Sequence, residues 1–159
     1  MKSEGSTIRG MARDDLDQVV TLDAGAGGLT RRDFFQRRWQ AMEAGPESYI
    51  GLVSGEPDAL DGFVLAHILS GEFGTRRRLA IIDSIAVRPE ARGGGVGASL
   101  MDALKTEARQ RDCAEIRTLA DWSRQDLLHF FANSGFSPAP LDVLEKTLED
   151  IPREQSNAG

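Results

Sequence analysis

Between Arg92 and Leu100 the chain reads RGGGVGASL, with glycine at positions 93, 94, 95 and 97. This run constrains the fold because of what flanks it. Ahead of it stands LAIIDSIAVRP (79–89), the strongest strand pattern in the chain. Behind it Val96, Leu100, Leu104 and Ala108 recur every four residues, which predicts a helix with one buried stripe. A strand that stops and a helix that starts within a few residues leaves several N–H groups unpaired and pointing one way, with partial positive charge. An anion fits there. Glycine lets a bulky phosphate reach the backbone and tolerates positive φ. Its helical cost, roughly 1 kcal/mol per residue, applies fully only in a helix interior. On the glycines alone a ligand-free turn stays open; the flanking strand and helix favour phosphate.

Two phosphate motifs fit poorly. A nucleotide P-loop needs lysine directly after its last glycine, and the first lysine beyond this run is Lys105. Gly93, Gly95 and Ala98 match the dinucleotide fingerprint literally. That fingerprint belongs to the first strand–helix turn of a long alternating domain. Here it falls past residue 90, with too little chain behind it.

The rest of the chain predicts one domain over 1–150 and a polar, flexible tail over 151–159. A strand is expected at 6–11 and an amphipathic helix at 12–24, carrying Leu16, Val19, Val20 and Asp23, with GAGG (25–28) breaking it. Thr30 and Asp33 look like the start of a second helix, with Phe35, Trp39 and Met42 on one face and Gly45-Pro46 ending it. Strands at 48–54 and 61–70 read as an antiparallel hairpin around the loop 55–62. A connection at 70–78 leads to the strand before the glycines. After the glycine-led helix come a strand (114–121), a helix (123–136) closed by Gly135, and a last strand (141–148). The fold class is therefore α/β of the α+β type. It has a mixed, mostly antiparallel central sheet with helices on both faces.

A formal charge of −6 argues against nucleic acid as a partner, since that needs cationic surface. No apolar run approaches a membrane span, and the polar opening MKSEGSTIRG is not a secretory signal. The single cysteine, Cys113, excludes an internal disulfide and a cysteine-built metal site, so no metal is expected. These features suit a cytoplasmic protein.

The run Arg92-Gly93-Gly94-Gly95-Val96-Gly97 resembles the [QR]-x-x-G-x-[GA] signature of the GNAT superfamily of N-acetyltransferases. IAVRPEAR before it is close to that family's V-x-P-x-x-R-G. FFANSGF (130–136) is similar to its second helix, which commonly ends Tyr-x-x-x-Gly-Phe. The resemblance covers 79–136 well, and 6–70 through element order only.

It implies acetyl-CoA as cosubstrate. The amides of Arg92, Gly93, Gly94, Gly95, Val96, Gly97 and Ala98 would wrap the pyrophosphate, with Arg92 either beside a phosphate or simply on the surface. Strands splay at the CoA site in that family. The exposed backbone of Ile85, Ala86 and Val87 would pair with the pantetheine arm, and the Val87 N–H would face the thioester carbonyl, a donor aimed at the developing oxyanion. Asp83, an acid in the apolar run AIIDSIAV, stands where family members often carry a base acting through water. The alternative is a structural acid. On a regular strand Ser84 would point to the opposite face.

The family's tyrosine, often the acid that protonates the leaving thiolate, is Phe131 here, and its CoA-contacting asparagine is replaced by Ser123 or Arg124. Water, Ser123 or His129 could supply the proton instead. His129 otherwise reads as a surface residue, and His67 as a packing residue on a hairpin able to border the acceptor pocket. Cys113 reads as a small buried residue, and TRRR (75–78) as a solvated turn.

The resemblance thus implies direct transfer of acetyl from acetyl-CoA to a primary amine, on a small molecule or a protein lysine. The alternative is a catalytically weak CoA-binding sensor or interaction module. Phe34, Phe35, Trp39 and Phe73 could border the acceptor site, and an arginine-rich rim could favour an acceptor with a carboxylate. A homodimer is left open.

Overall fold

The computed structural model describes residues 7–71 and 76–148. Ser6, Phe73, Thr75 and the tail from Glu149 onward, which figure in the expectations above, lie outside the described residues.

Residues up to Leu119 form one compact unit. Its elements are β1 (Ile8–Gly10), α1 (Leu16–Gly27), α2 (Arg32–Ala44), β2 (Tyr49–Glu56), β3 (Ala59–Ser70), β4 (Arg78–Val87), α3 (Val96–Gln110) and β5 (Cys113–Thr118). The sheet runs β1-β2-β3-β4-β5. Neighbouring pairs are antiparallel except β4 and β5, which are parallel and joined through α3.

The alternation of β2 and β3 decides which helix covers which face. Val53, Phe63 and Leu65 share a core with Val19 and Val20 of α1 and Phe35 of α2, so α1 and α2 cover one side. Gly62, one residue out of phase with Phe63, lies against Val96 and Leu100, so α3 covers the other. Burying each large side chain of this kind contributes about 1.5–3 kcal/mol. The α3 stripe behaves as its spacing predicts, with Val96, Leu100, Leu104 and Ala108 all buried.

Three expectations are corrected. Helix α1 does not break at Gly25. It runs through Gly25 and Gly27 to Gly28, whose φ of 78° forms a left-handed cap with its N–H on the Ala24 carbonyl at 2.7 Å. Packing of Val19, Val20 and Asp23 outweighs the glycine cost. Helix α2 begins after Arg31, with no side-chain cap from Thr30. The strand predicted at 141–148 does not form, since its own unit offers no partner strand for its backbone.

Residues from Ala120 on form a second unit. It holds α4 (Gln125–Asn133), closed by Gly135 at φ 92°. Phe131 meets Phe130 edge-on, with 5.4 Å between ring centres, and lies tilted against Phe136 at 5.1 Å. Leu141, Val143, Leu144 and Leu148 are exposed.

Candidate active site

The glycine run is a turn held by its own backbone. The N–H groups of Ala91, Arg92 and Gly94 donate to the carbonyls of Arg88, Pro89 and Ala91. Gly93 and Gly95 take φ values of 82° and 83°, a region that costs an L-residue roughly 1–2 kcal/mol. The turn delivers the chain straight into α3. Ser99 donates to the Gly95 carbonyl at 2.9 Å, whereas the amides of Val96, Gly97 and Ala98 ahead of it meet no acceptor among the described residues. These amides lie at the positive end of a 15-residue helix, where an anion is favoured. A Cβ at Gly93 or Gly95 would meet nothing within 4 Å, so the space over the loop is open. Arg92 is exposed, and its Nε lies 3.4 Å from the Val87 carbonyl.

Strand β4 leads into this loop with one edge free. Its pairing to β5 runs from Arg78 to Ile82 and ends where Thr118 Oγ1 donates to the Ile82 carbonyl at 3.4 Å. Pairing to β3 continues through Val87, opposite Gly62. Beyond Ile82, the stretch that includes Ile85, Ala86 and Val87 therefore has a ladder on the β3 side only. This is the splayed edge.

At the head of that stretch β4 bulges. Leu65 pairs with Ser84 and Ala66 with Ile82, so Asp83 is the extra residue. The bulge overturns the expected alternation of Asp83 and Ser84, because one unpaired residue shifts the strand out of phase. Both now reach toward α1 and α2. Ser84 Oγ donates to Asp23 of α1 at 2.7 Å, and Arg31 binds the same carboxylate through Nε and a terminal nitrogen. Asp83 lies 2.9 Å from Nδ1 of His67 through each oxygen, and 3.3 Å from a terminal nitrogen of Arg38 of α2. Arg38 stacks over Phe34 and Tyr49 at 5.4 and 5.8 Å from the ring centres. Its Nε is buried without a partner among the described residues.

Sequence reasoning missed this cluster. The only signal for Arg38 was its place four residues after Phe34 on one helix face. Nothing local announces the bulge.

The other named residues fall elsewhere. Ser123 and Phe131 belong to the second unit. Ser123 is exposed and turned to Asp121, whose carboxyl its hydroxyl and N–H hold below the usual carboxylate range. Phe131 is buried. His129 is exposed. Of the arginine-rich stretches, Arg31, Arg32 and Arg38 are bonded to Asp23, Asp17 and Asp83, and Arg77 to Glu115. Burial pushes the Cys113 thiol up, which disfavours the thiolate a nucleophile needs. A cavity of about 210 Å³ is lined by Met11, Trp39, Met42, Tyr49 and Arg111; of the residues expected to border the acceptor site it holds Trp39. No helix among the described residues is long and apolar enough to cross a membrane.

Residues 16–136 match the model of the acetyltransferase (GNAT) family. No curated protein matches the chain. Among solved structures, a transcriptional regulator from Bacillus halodurans C-125 is 22% identical, with 90% of this chain and 99% of that one covered and a TM-score of 0.74. The aminoglycoside antibiotic 6'-N-acetyltransferase AAC(6')-IG from Acinetobacter haemolyticus is 17% identical over 91% and 99%, also with a TM-score of 0.74. AAC(6')-Iy, in complex with the bisubstrate analogue CoA-S-monomethyl-acetylneamine, is 16% identical over 89% and 97%, with a TM-score of 0.73. At these identities the likeness shows a common fold.

Proposed function

The chain belongs to the acetyltransferase (GNAT) family of acetyl-CoA-dependent N-acetyltransferases, and from that premise we propose how it works. The amides of Gly93, Gly95, Val96, Gly97 and Ala98 hold the pyrophosphate of acetyl-CoA, while those of Arg92 and Gly94, expected to join them, are taken by the Pro89 and Ala91 carbonyls. The free edge of β4 at Ile85–Val87 pairs with the pantetheine arm, and the Val87 N–H faces the thioester carbonyl. A primary amine attacks that carbonyl directly, with both reactants held side by side. Asp83 and the groups touching it handle the amine's proton.

The observation that carries this reading is the trio of unpartnered amides at Val96, Gly97 and Ala98, opened by left-handed glycines at the end of a half-free strand. In the same reading residues 1–150 act as one catalytic domain, 151–159 are a polar tail, and the protein works in the cytoplasm on acetyl-CoA and an amine. Neither nucleic acid nor membrane is a partner.

The acceptor is a small amine or a protein lysine. The bonding of Arg31, Arg32 and Arg38 within the chain takes weight from a carboxylate-bearing acceptor. Phe131, which has no hydroxyl, favours a second reading in which the chain binds CoA but turns over poorly. Titration calorimetry with acetyl-CoA, followed by thiol release with kanamycin, glucosamine 6-phosphate and a lysine-rich peptide, separates the two. Binding with turnover of one amine supports the enzyme, and binding without turnover supports the module. Absence of binding overturns both.

A further inference from the structure

We propose that His67 accepts the amine's proton and that Asp83 is its positioning residue, a refinement that rests on the acetyltransferase reading above. The ring and the carboxylate are brought together by the bulge, which turns Asp83 toward β3 and α2. Nδ1 of His67 is 2.9 Å from both carboxylate oxygens. An ionised carboxylate only accepts, so Nδ1 carries the hydrogen, and in the neutral ring the lone pair sits on Nε2. Nε2 has no partner among the described residues, and the side chain is 22% exposed. Asp83 is 11% exposed and already receives Arg38 and the imidazole. A carboxylate enclosed by donors of its own chain fixes a ring better than it meets an incoming ammonium group.

The charged and titratable groups around the imidazole come from every neighbouring element. They are Asp83 on β4, Arg38 on α2 and Tyr49 directly opposite on β2. On β5, Arg117 stands in the row of Ile81, which itself pairs with His67, and is bonded to Glu115.

Nε2 takes one proton from R–NH3+ and passes it to solvent. The freed nitrogen pair forms the C–N bond at the thioester carbon as the C–S pair passes to sulfur. The second N–H proton goes to the thiolate, leaving the acetamide and the CoA thiol.

The test uses the full chain and three proteins: wild type, His67→Asn and Asp83→Asn. In H67N the amide nitrogen can stand where Nδ1 was, keeping the bond to Asp83 while removing Nε2. In D83N the amide can donate to Nδ1, forcing the hydrogen onto Nε2. Long-range proton–nitrogen NMR, with H67N separating the His67 signals from those of His129, reads the tautomer without any acceptor. The expected results are an Nδ1–H ring in wild type and an Nε2–H ring in D83N. Thiol release from acetyl-CoA with concentrated n-butylamine should fall about 100-fold in H67N, within the range of a general base. H67N should also lose the acid limb of the pH–rate profile, while its affinity for acetyl-CoA stays within about twofold.

An Nε2–H ring in wild type, or wild-type kcat/KM with an unchanged pH profile in H67N, overturns the proposal. If wild type is idle with n-butylamine, the tautomer decides alone. Failure of wild type to bind acetyl-CoA would instead overturn the functional reading, and the NMR result keeps the two failures apart.

Discussion

Gly62 lies against Val96: a methyl group added at Gly62 would come within 3.2 Å of Val96 Cγ1, 3.1 Å of Leu100 Cδ1 and 2.8 Å of the Ala86 carbonyl oxygen. The missing side chain lets the first turn of α3 settle onto β3 beside the end of β4. Gly62→Ala forces backbone to move, an overpacking cost of about 1–3 kcal/mol. A lowered Tm is expected, together with weaker acetyl-CoA binding by about tenfold, since the helix start shifts relative to Val87. Calorimetry and thermal melts check both. An unchanged melt would mean that this contact does not set the position of α3.

At Gly95 two substitutions separate strain from charge. Both place an L-residue at φ 83° in open space, so each loses roughly 1–2 kcal/mol of stability. Gly95→Ala leaves room for a phosphate and should keep acetyl-CoA binding within about tenfold. Gly95→Glu brings a carboxylate to the anion site and should abolish binding. Equal affinities in the two variants would remove the loop from the coenzyme site.

Ser84→Ala tests the bulge. The hydroxyl is bonded to Asp23, and losing it should cost about 1 kcal/mol in denaturant unfolding while Arg31 still holds the carboxylate. On a regular strand Ser84 would point away from α1 and the substitution would be silent.

Asp15 gives the fold a measurable acid dependence. It is buried, receives two bonds from Arg9 and one from the Ala12 N–H, and the Arg9 bonds hold its carboxyl below the usual carboxylate range. A depressed value contributes stability above the unfolded-chain pKa, about 3.9, and loses it as pH falls through the lower folded value. Asp15→Asn should therefore be less stable at neutral pH, by about 1–3 kcal/mol. The gap to wild type should close as the pH falls below about 3.9 and through the lower folded value. A gap that persists in acid would assign the loss to packing.

Cys113 should react with iodoacetamide more slowly than free cysteine at about pH 8, because burial raises the thiol and reduces the thiolate fraction. A rate equal to that of free cysteine would contradict this.

What could be read from the amino acids was local chemistry. Strand β4, the loop and α3 announce themselves because glycine conformation, β-branched runs and a four-residue stripe act over short distances. Asp83 and His67 were visible as residue types, but their meeting depends on which strands neighbour each other and on one unpaired residue. The persistence of α1 through Gly25 and Gly27 is a tertiary effect of the same kind, since buried Val19, Val20 and Asp23 outweigh local propensity. The segment 141–148 has the alternation of a strand, yet alternation supplies no hydrogen-bonding neighbour.

The one-residue insertion at position 83 works as a change of parity along β4. Up to Ile82 the strand is clamped on both edges, and substitutions there are judged by the sheet. Past it the strand answers to one neighbour, and its other edge is available to a guest. Deleting residue 83 would leave every other pairing in place, since Ile82 already stands opposite Ala66 and Ser84 opposite Leu65, and would remove only the kink and the carboxylate it turns toward His67.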